Sequence, residues 1–262
     1  MSLTGKSPSE TYKDLIYVNN SNNGIPSGSV RPLKSGNGVQ SSLAVDDRSL
    51  QVKSYTNNTT ALDVQNASGT SKLLVDTTNN YVKANGVHVN TMYKEFGLYD
   101  FSPTQGYHNP MICNNMMFSD SGDDIIADDS MFSNSADPAT SLDLSANGTS
   151  KVATACYWYV LDNISIDAIR VLATCDSSHA LNFHVYSYDL DTSSNHGDLS
   201  SGTLLAHIGS SMSATSSTVK TSTLTIDSAS VSSGKVILAF VENEGGTGDI
   251  TSQLNIKYHI TG

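Results

Sequence analysis

Residues 254–260 read Leu254-Asn255-Ile256-Lys257-Tyr258-His259-Ile260, and residues 181–186 read Leu181-Asn182-Phe183-His184-Val185-Tyr186. Both alternate apolar with polar side chains, the two-residue period of a strand that has one face in a core and the other toward water. Outward from these stretches, strand-like runs recur at 95–101, 152–160, 164–173, 204–208, 219–226 and 235–241. Connections rich in Ser, Gly, Asn and Asp separate them, and no helical period of comparable strength appears. Eight short strands over residues 93–262 predict a C-terminal antiparallel β-sandwich, jelly-roll-like in type. The absence of capped amphipathic helices between the strands argues against a doubly wound nucleotide-binding fold.

Upstream, over residues 42–92, the pattern changes. Apolar residues come in pairs two apart: Leu43/Val45, Leu50/Val52, Leu62/Val64, Leu73/Val75 and Val87/Val89. Between them stand turn sequences such as Asp46-Asp47, Asn66-Ala67-Ser68-Gly69 and Asn85-Gly86. The segment reads as short half-buried strands joined by tight turns, too irregular in spacing for a solenoid. So few small apolar side chains per strand do not offset the ordering entropy of the segment on its own. Stripes of this kind become stable by meeting copies of themselves, and a homotrimeric β-stalk is the preferred reading. Its interface residues would be Leu43, Val45, Leu50, Val52, Leu62, Val64, Leu73 and Val75. A loose linker, or an extension packed on the C-terminal domain, remains open as the other reading.

Residues 1–41 form an N-terminal arm. Ser7-Pro8-Ser9-Glu10 places a capping Ser before a Pro at the first helical position, with a Glu three residues after the cap. A short helix is expected to continue through Thr11 to Val18, and the polar run Asn19–Gly24 stops it. A helix of that length needs a surface to pack on, so it reads as an anchor.

Composition narrows the function classes. The chain has 262 residues and a net charge of −11, with only 38% hydrophobic and 15% charged residues. Ser, Thr, Asn and Gly fill the difference, giving a polar but uncharged surface typical of extracellular β-rich binding proteins and virion proteins. No apolar run approaches a membrane span, and the first residues lack an apolar signal core, so neither membrane insertion nor Sec export is expected. Charge divides unevenly. Residues 1–94 carry nine Lys/Arg against six Asp/Glu, whereas residues 95–262 carry five against nineteen. A mildly basic foot under an acidic body suits docking by the N-terminus. Arg31, Lys34, Arg48 and Lys53 form no dense patch with interleaved aromatics, which disfavours nucleic-acid binding.

Signals for chemistry are weak. There is no GxSxG, HExxH, P-loop or GxGxxG motif, no catalytic residue is identified, and no cofactor or metal is expected. Cys113, Cys156 and Cys175 are odd in number and lack a CxxC pair. Cys156 reads as a buried small hydrophobe, with a Cys156–Cys175 bridge left open. Alternation puts His184 and His259 on polar strand faces, where a histidine is ordinarily exposed or at an interface. The densest acidic stretch, Asp120 to Asp137, reads as a solvated loop, with calcium binding the second reading. Asp189–Asp198 begins like an EF-hand loop but has Ser194 where Gly is required, and so reads as a polar loop. The apolar cluster from Tyr107 to Phe118 is either a plug between sheets or a contact with a neighbouring subunit.

Three stretches carry a family resemblance. Leu3–Ile16 with Asn19–Ile25 resembles the N-terminus of structural proteins of tailed bacteriophages. Ser41–Val45 and Leu73–Asn79 resemble the trimeric β-stalks of phage fibres and head-decoration proteins, and Gly234–Ala239 with Ile256–Ile260 is similar to their distal domains. The resemblance implies a non-enzymatic homotrimeric virion component, assembled in the bacterial cytoplasm. As a capsid decoration (cement) protein it would bind the major capsid protein through Tyr12, Lys13, Leu15, Ile16, Arg31 and Lys34, and bridge neighbouring subunits. As a tail fibre it would instead join tail proteins and present loops 191–201 and 242–249 to host surface glycans. Neither reading involves nucleic acid or membrane as a partner.

Overall fold

The computed structural model of the protein describes residues 16–21, 23–114, 132–133, 135–144, 154–191, 193, 197–216 and 218–261. The chain divides into two units, 1–89 and 90–262. Among the described residues, no helix is long and apolar enough to cross a membrane.

The first unit consists of two small antiparallel sheets. One is β1(Ile16–Val18), β2(Arg31–Ser35), β3(Gln40–Val45) and β4(Leu50–Val52), paired in that order. The other is β5(Leu62–Gln65), β6(Ser71–Asp76), β7(Tyr81–Ala84) and β8(Val87–His88), again in chain order. Such meanders follow from their turns. Asn85 and Gly86 both have φ near the left-handed region (51° and 80°), the two-residue hairpin geometry that Asn-Gly favours. Residues Ile16–Val18, expected at the end of a helix, are instead a strand paired with Leu33–Ser35. An Ile-Tyr-Val run gains more from ladder pairing than from the last turn of a marginal helix.

The second unit is an antiparallel sandwich. Its six-stranded sheet runs β11(Ile112–Cys113), β9(Thr91–Phe101), β21(Ile250–Ile260), β13(Ile164–Cys175), β17(Lys220–Thr223), with β19(Ser230–Val231) also on β13. Its seven-stranded sheet runs β10(His108–Pro110), β20(Lys235–Gly245), β14(His179–Asp191), β15(Asp198–His207), β18(Thr225–Ile226). There β12(Trp158–Tyr159) joins β20, and β16(Met212–Ala214) joins β14. The run expected as a strand over 152–160 is shorter. Thr154–Cys156 form one helical turn, and only Trp158 and Tyr159 pair with β20.

The two sheets differ in what covers them. On the six-stranded sheet, Ile164, Ile166, Ile169, Val171, Leu254 and Ile256 are buried while Gln253, Asn255 and Lys257 stay partly exposed, as the alternation requires. On the seven-stranded sheet both faces of β14 and β20 are buried: Leu181, Phe183 and Val185 on one side, His184, Tyr186 and Tyr188 on the other. The second side is roofed by residues 132–133 and 135–144. Phe132 lies against Phe240 with ring centroids 4.9 Å apart. Tyr188 donates to the Ala139 carbonyl at 2.9 Å, and Leu142 and Leu199 exchange backbone bonds at 2.8 Å. The segment His108–Cys113 is the plug between sheets, because β10 pairs with β20 while β11 pairs with β9. Met111 between them is fully buried.

The roof fits closely. A Cβ on Gly202 would stand 2.7 Å from both Thr140 Cα and the Tyr188 ring. Gly202→Ala is therefore expected to lower stability by about 1–3 kcal/mol, read as a lower urea midpoint at unchanged slope. None of the three cysteines forms a disulfide and all are buried, and burial pushes the Cys156 thiol up to about 12. The native protein should leave all three unreacted with a thiol reagent at neutral pH, and unfolding should release three equivalents.

Candidate functional site

The polar end of the roofed face gathers buried histidines and carboxylates. Cross-strand register builds it. His108 on β10 stands opposite Glu242 on β20, which stands opposite Asn182 on β14. Two residues along, Phe240 is opposite His184, and His184 is opposite His207 on β15. Because strand side chains repeat with period two, both rows lie on the same face. Asp137 then reaches in from the roof.

Burial is nearly complete for the two central imidazoles, with His108 1% and His184 4% exposed. Their ring centroids are 5.1 Å apart, edge to face. His108 Nε2 lies 3.5 Å from Glu242 Oε2, and His184 Nε2 lies 3.6 Å from Asp137 Oδ1. Neither His108 Nε2 nor His184 Nδ1 has a hydrogen-bond partner, whereas His108 Nδ1 is 3.2 Å from the Ser133 carbonyl. At the rim, Asn182 donates to Glu244 Oε1 at 3.2 Å and Ser211 donates to Glu244 Oε2. His207 Nδ1 lies 2.7 Å from Asp227 Oδ2.

Electrostatics follow from that placement. Burial pushes His184 down to about 4, helped by the nearby His108, while Asp137 acts against it. Burial also lowers His108, opposed by the Ser133 carbonyl and Asp137. Burial, followed by the charge of Glu244, raises the Glu242 carboxyl. Glu242 and His108 thus face one another across 3.5 Å as a base and a weak acid able to hold one proton between them.

Other residues fall elsewhere. Tyr12, Lys13 and Leu15 lie outside the described residues, as does the helix start at 7–10. Ile16, Arg31 and Lys34 lie on β1 and β2, with Lys34 opposite Tyr17. Leu43, Val45, Leu50 and Val52 share one face of the first small sheet by register. Leu62, Val64, Leu73 and Val75 share one face of the second, where Val82, Ala84 and Val87 join them. Of the acidic stretch 120–137, only Asp137 and residues beside it are described. Asp189 and Asp191 sit on β14, paired with Ser200 and Asp198 in a hairpin, and Asp189 bonds Lys235 at 2.7 Å. His184, expected on an open polar face, is buried, because alternation reveals nothing of a roof drawn from a distant loop.

A second acidic group went unnoticed in the sequence. Asp100, Asp176 and Asp249, from three strand ends, bring carboxylate oxygens within 4.8 Å of one another. These are hard oxygen donors of the kind calcium takes. Nothing else at the group points to a ligand.

No family model matches the chain, and no curated protein matches it. Among solved structures, it is similar to one described as "Structure of infectious bursal disease virus Gx strain". That likeness has 8% identity and a TM-score of 0.26, over 69% of this chain and 35% of that one. The chain thus spans about a third of the length of that protein. At this score the likeness carries no conclusion about function.

Linkage gives the site a measurable signature. A histidine whose native value is depressed takes up its proton more readily when unfolded, so stability present at neutral pH is lost as pH falls from the ordinary 6.5 toward about 4. For His184 the loss approaches about 3 kcal/mol, a scale set by its near-complete burial. The raised Glu242 carboxyl works in the opposite direction, its stabilisation fading as pH rises. Urea midpoints should therefore fall on acidification, and His184→Gln should flatten that fall.

Proposed function

We propose that this chain is a homotrimeric virion structural protein of a tailed bacteriophage, a capsid decoration protein that binds the head shell and bridges major-capsid subunits. The observation that carries the reading is the first unit's uncovered apolar faces. Of the Ala, Val, Ile, Leu, Met, Phe, Trp, Tyr and Cys side chains described before residue 90, only Ala44 is buried. Leu43 is 39%, Leu50 65%, Val64 47% and Leu73 37% exposed, all on the two apolar faces described above. A four-stranded sheet with one apolar face and no second layer lacks a core, and the commonest cover for such a face is the same face of another copy.

The resemblance of the N-terminal and stalk sequences to phage structural proteins supports the virion setting. The basic balance of residues 1–94 supports docking from that end. The reading assigns the protein no reaction.

Light scattering should give three times the 27.8 kDa chain mass, 83.4 kDa, and Leu73→Asp should return it to the single-chain value. A monomeric native protein would overturn the trimer. Purified protein mixed with undecorated heads, and separately with tails, should pellet saturably with heads. Pelleting with tails alone would make the protein a fibre.

A further inference from the structure

The described roof residues meet the sheet in two ways. Residues 139–144 are bonded into the sheet: Tyr188 to the Ala139 carbonyl, Gly202 N to the Thr140 carbonyl at 2.8 Å, Leu142 to Leu199, and Leu144 N to Asp198 Oδ1 at 2.7 Å. Phe132, Ser133 and Asp137 instead rest on the titratable cluster. Phe132 covers Phe240, the Ser133 carbonyl accepts from the His108 backbone N–H at 3.3 Å and faces its Nδ1, and Asp137 lies beside His184.

We propose that the His108–His184 cluster is an acid-operated latch, in which a second proton, taken up on His184, frees Phe132, Ser133 and Asp137 from it and uncovers Phe240 and Tyr186. The first proton is accommodated, because His108 Nε2 and Glu242 Oε2 face each other at 3.5 Å and hold it jointly. The second is not. It would sit on a buried ring 5.1 Å from the His108 ring. The groups facing it are His108 from β10, Glu242 and Glu244 from β20, Asn182 and Tyr186 from β14, His207 with Asp227 from β15 and the turn after β18, and Asp137 with the Ser133 carbonyl from the roof. Of the carboxylates, Glu242 is committed to His108, Asp227 to His207 at 2.7 Å, and Glu244 to Asn182 and Ser211. Asp137 is the carboxylate beside the ring and Glu244 adds a smaller compensation, but the Asp137 side chain is 65% exposed, so water screens it. Hydrating His184 relieves the charge, and the direct route is to lift the roof residues that rest on the cluster, since β14 and β20 are locked by a long ladder.

The latch is independent of the oligomeric reading above, because every group in it belongs to one chain. Its test is hydrogen exchange of the full-length protein from about pH 7 to about pH 4, corrected for intrinsic rates. Backbone amides at Ala139 and His108, bonded to Phe132 and Ser133 carbonyls, should lose protection about tenfold or more while β13 and β21 stay protected. Asp137→Asn, at an exposed position, should move that loss to higher pH, and His184→Gln should abolish it. Unchanged protection down to pH 4 would overturn the proposal. So would loss shared with β13 and β21, or loss of the same size and midpoint in both variants.

Discussion

Burial of the seven-stranded sheet on both faces is the constraint on which the second unit depends. One face of β14 and β20 packs into the sandwich, and the other is closed by residues 132–133 and 135–144, so these two strands form the middle of three layers. Phe183, Val185, Ile237, Ala239 and Val241 answer to the first layer, and Tyr186, Tyr188 and Phe240 to the second. A polar side chain on such a strand has no route to bulk water. It is matched by another polar group or it stays neutral. That is the physical origin of the His108–Glu242 and His184–Asp137 pairs, and of the coupling between charge at the cluster and closure of the roof.

The first unit meets the opposite condition. Its two sheets have regular ladders and well-formed turns, yet among the described residues each offers an apolar face that stays exposed. Backbone pairing fixes the shape of such a sheet but adds little net stability, because the unfolded chain bonds equally well to water. Among the described residues, the burial that stabilises the second unit has no counterpart here, and this asymmetry supports the structural role proposed above.

Much of the fold was legible. The alternation at 181–186 and 254–260 marks strands that exist, and Asn85-Gly86 is the hairpin its residues specify. The pairs Leu43/Val45, Leu50/Val52, Leu62/Val64 and Leu73/Val75 do share faces, because period two and antiparallel register leave no other arrangement. The misreadings have one cause. Ile16–Val18 were assigned to a helix by a local cap signal, while a distant partner at Leu33–Ser35 made them a strand. Apolar content marks 152–160 as one strand, whereas Thr154–Cys156 take a helical turn before Trp158 and Tyr159 join β20.

Sequence by itself determined the class of the fold, the position of most strands, the turn chemistry and the segregation of charge, because these depend on residues within a few positions of one another. Only the tertiary structure decided that His184 is buried, that His108 from a separate edge strand stands 5.1 Å from it, and that Asp137 closes the group from a loop. Alternation states which face a side chain takes, not what lies over that face. The layer above is supplied by chain some forty residues away, and no local pattern records its arrival.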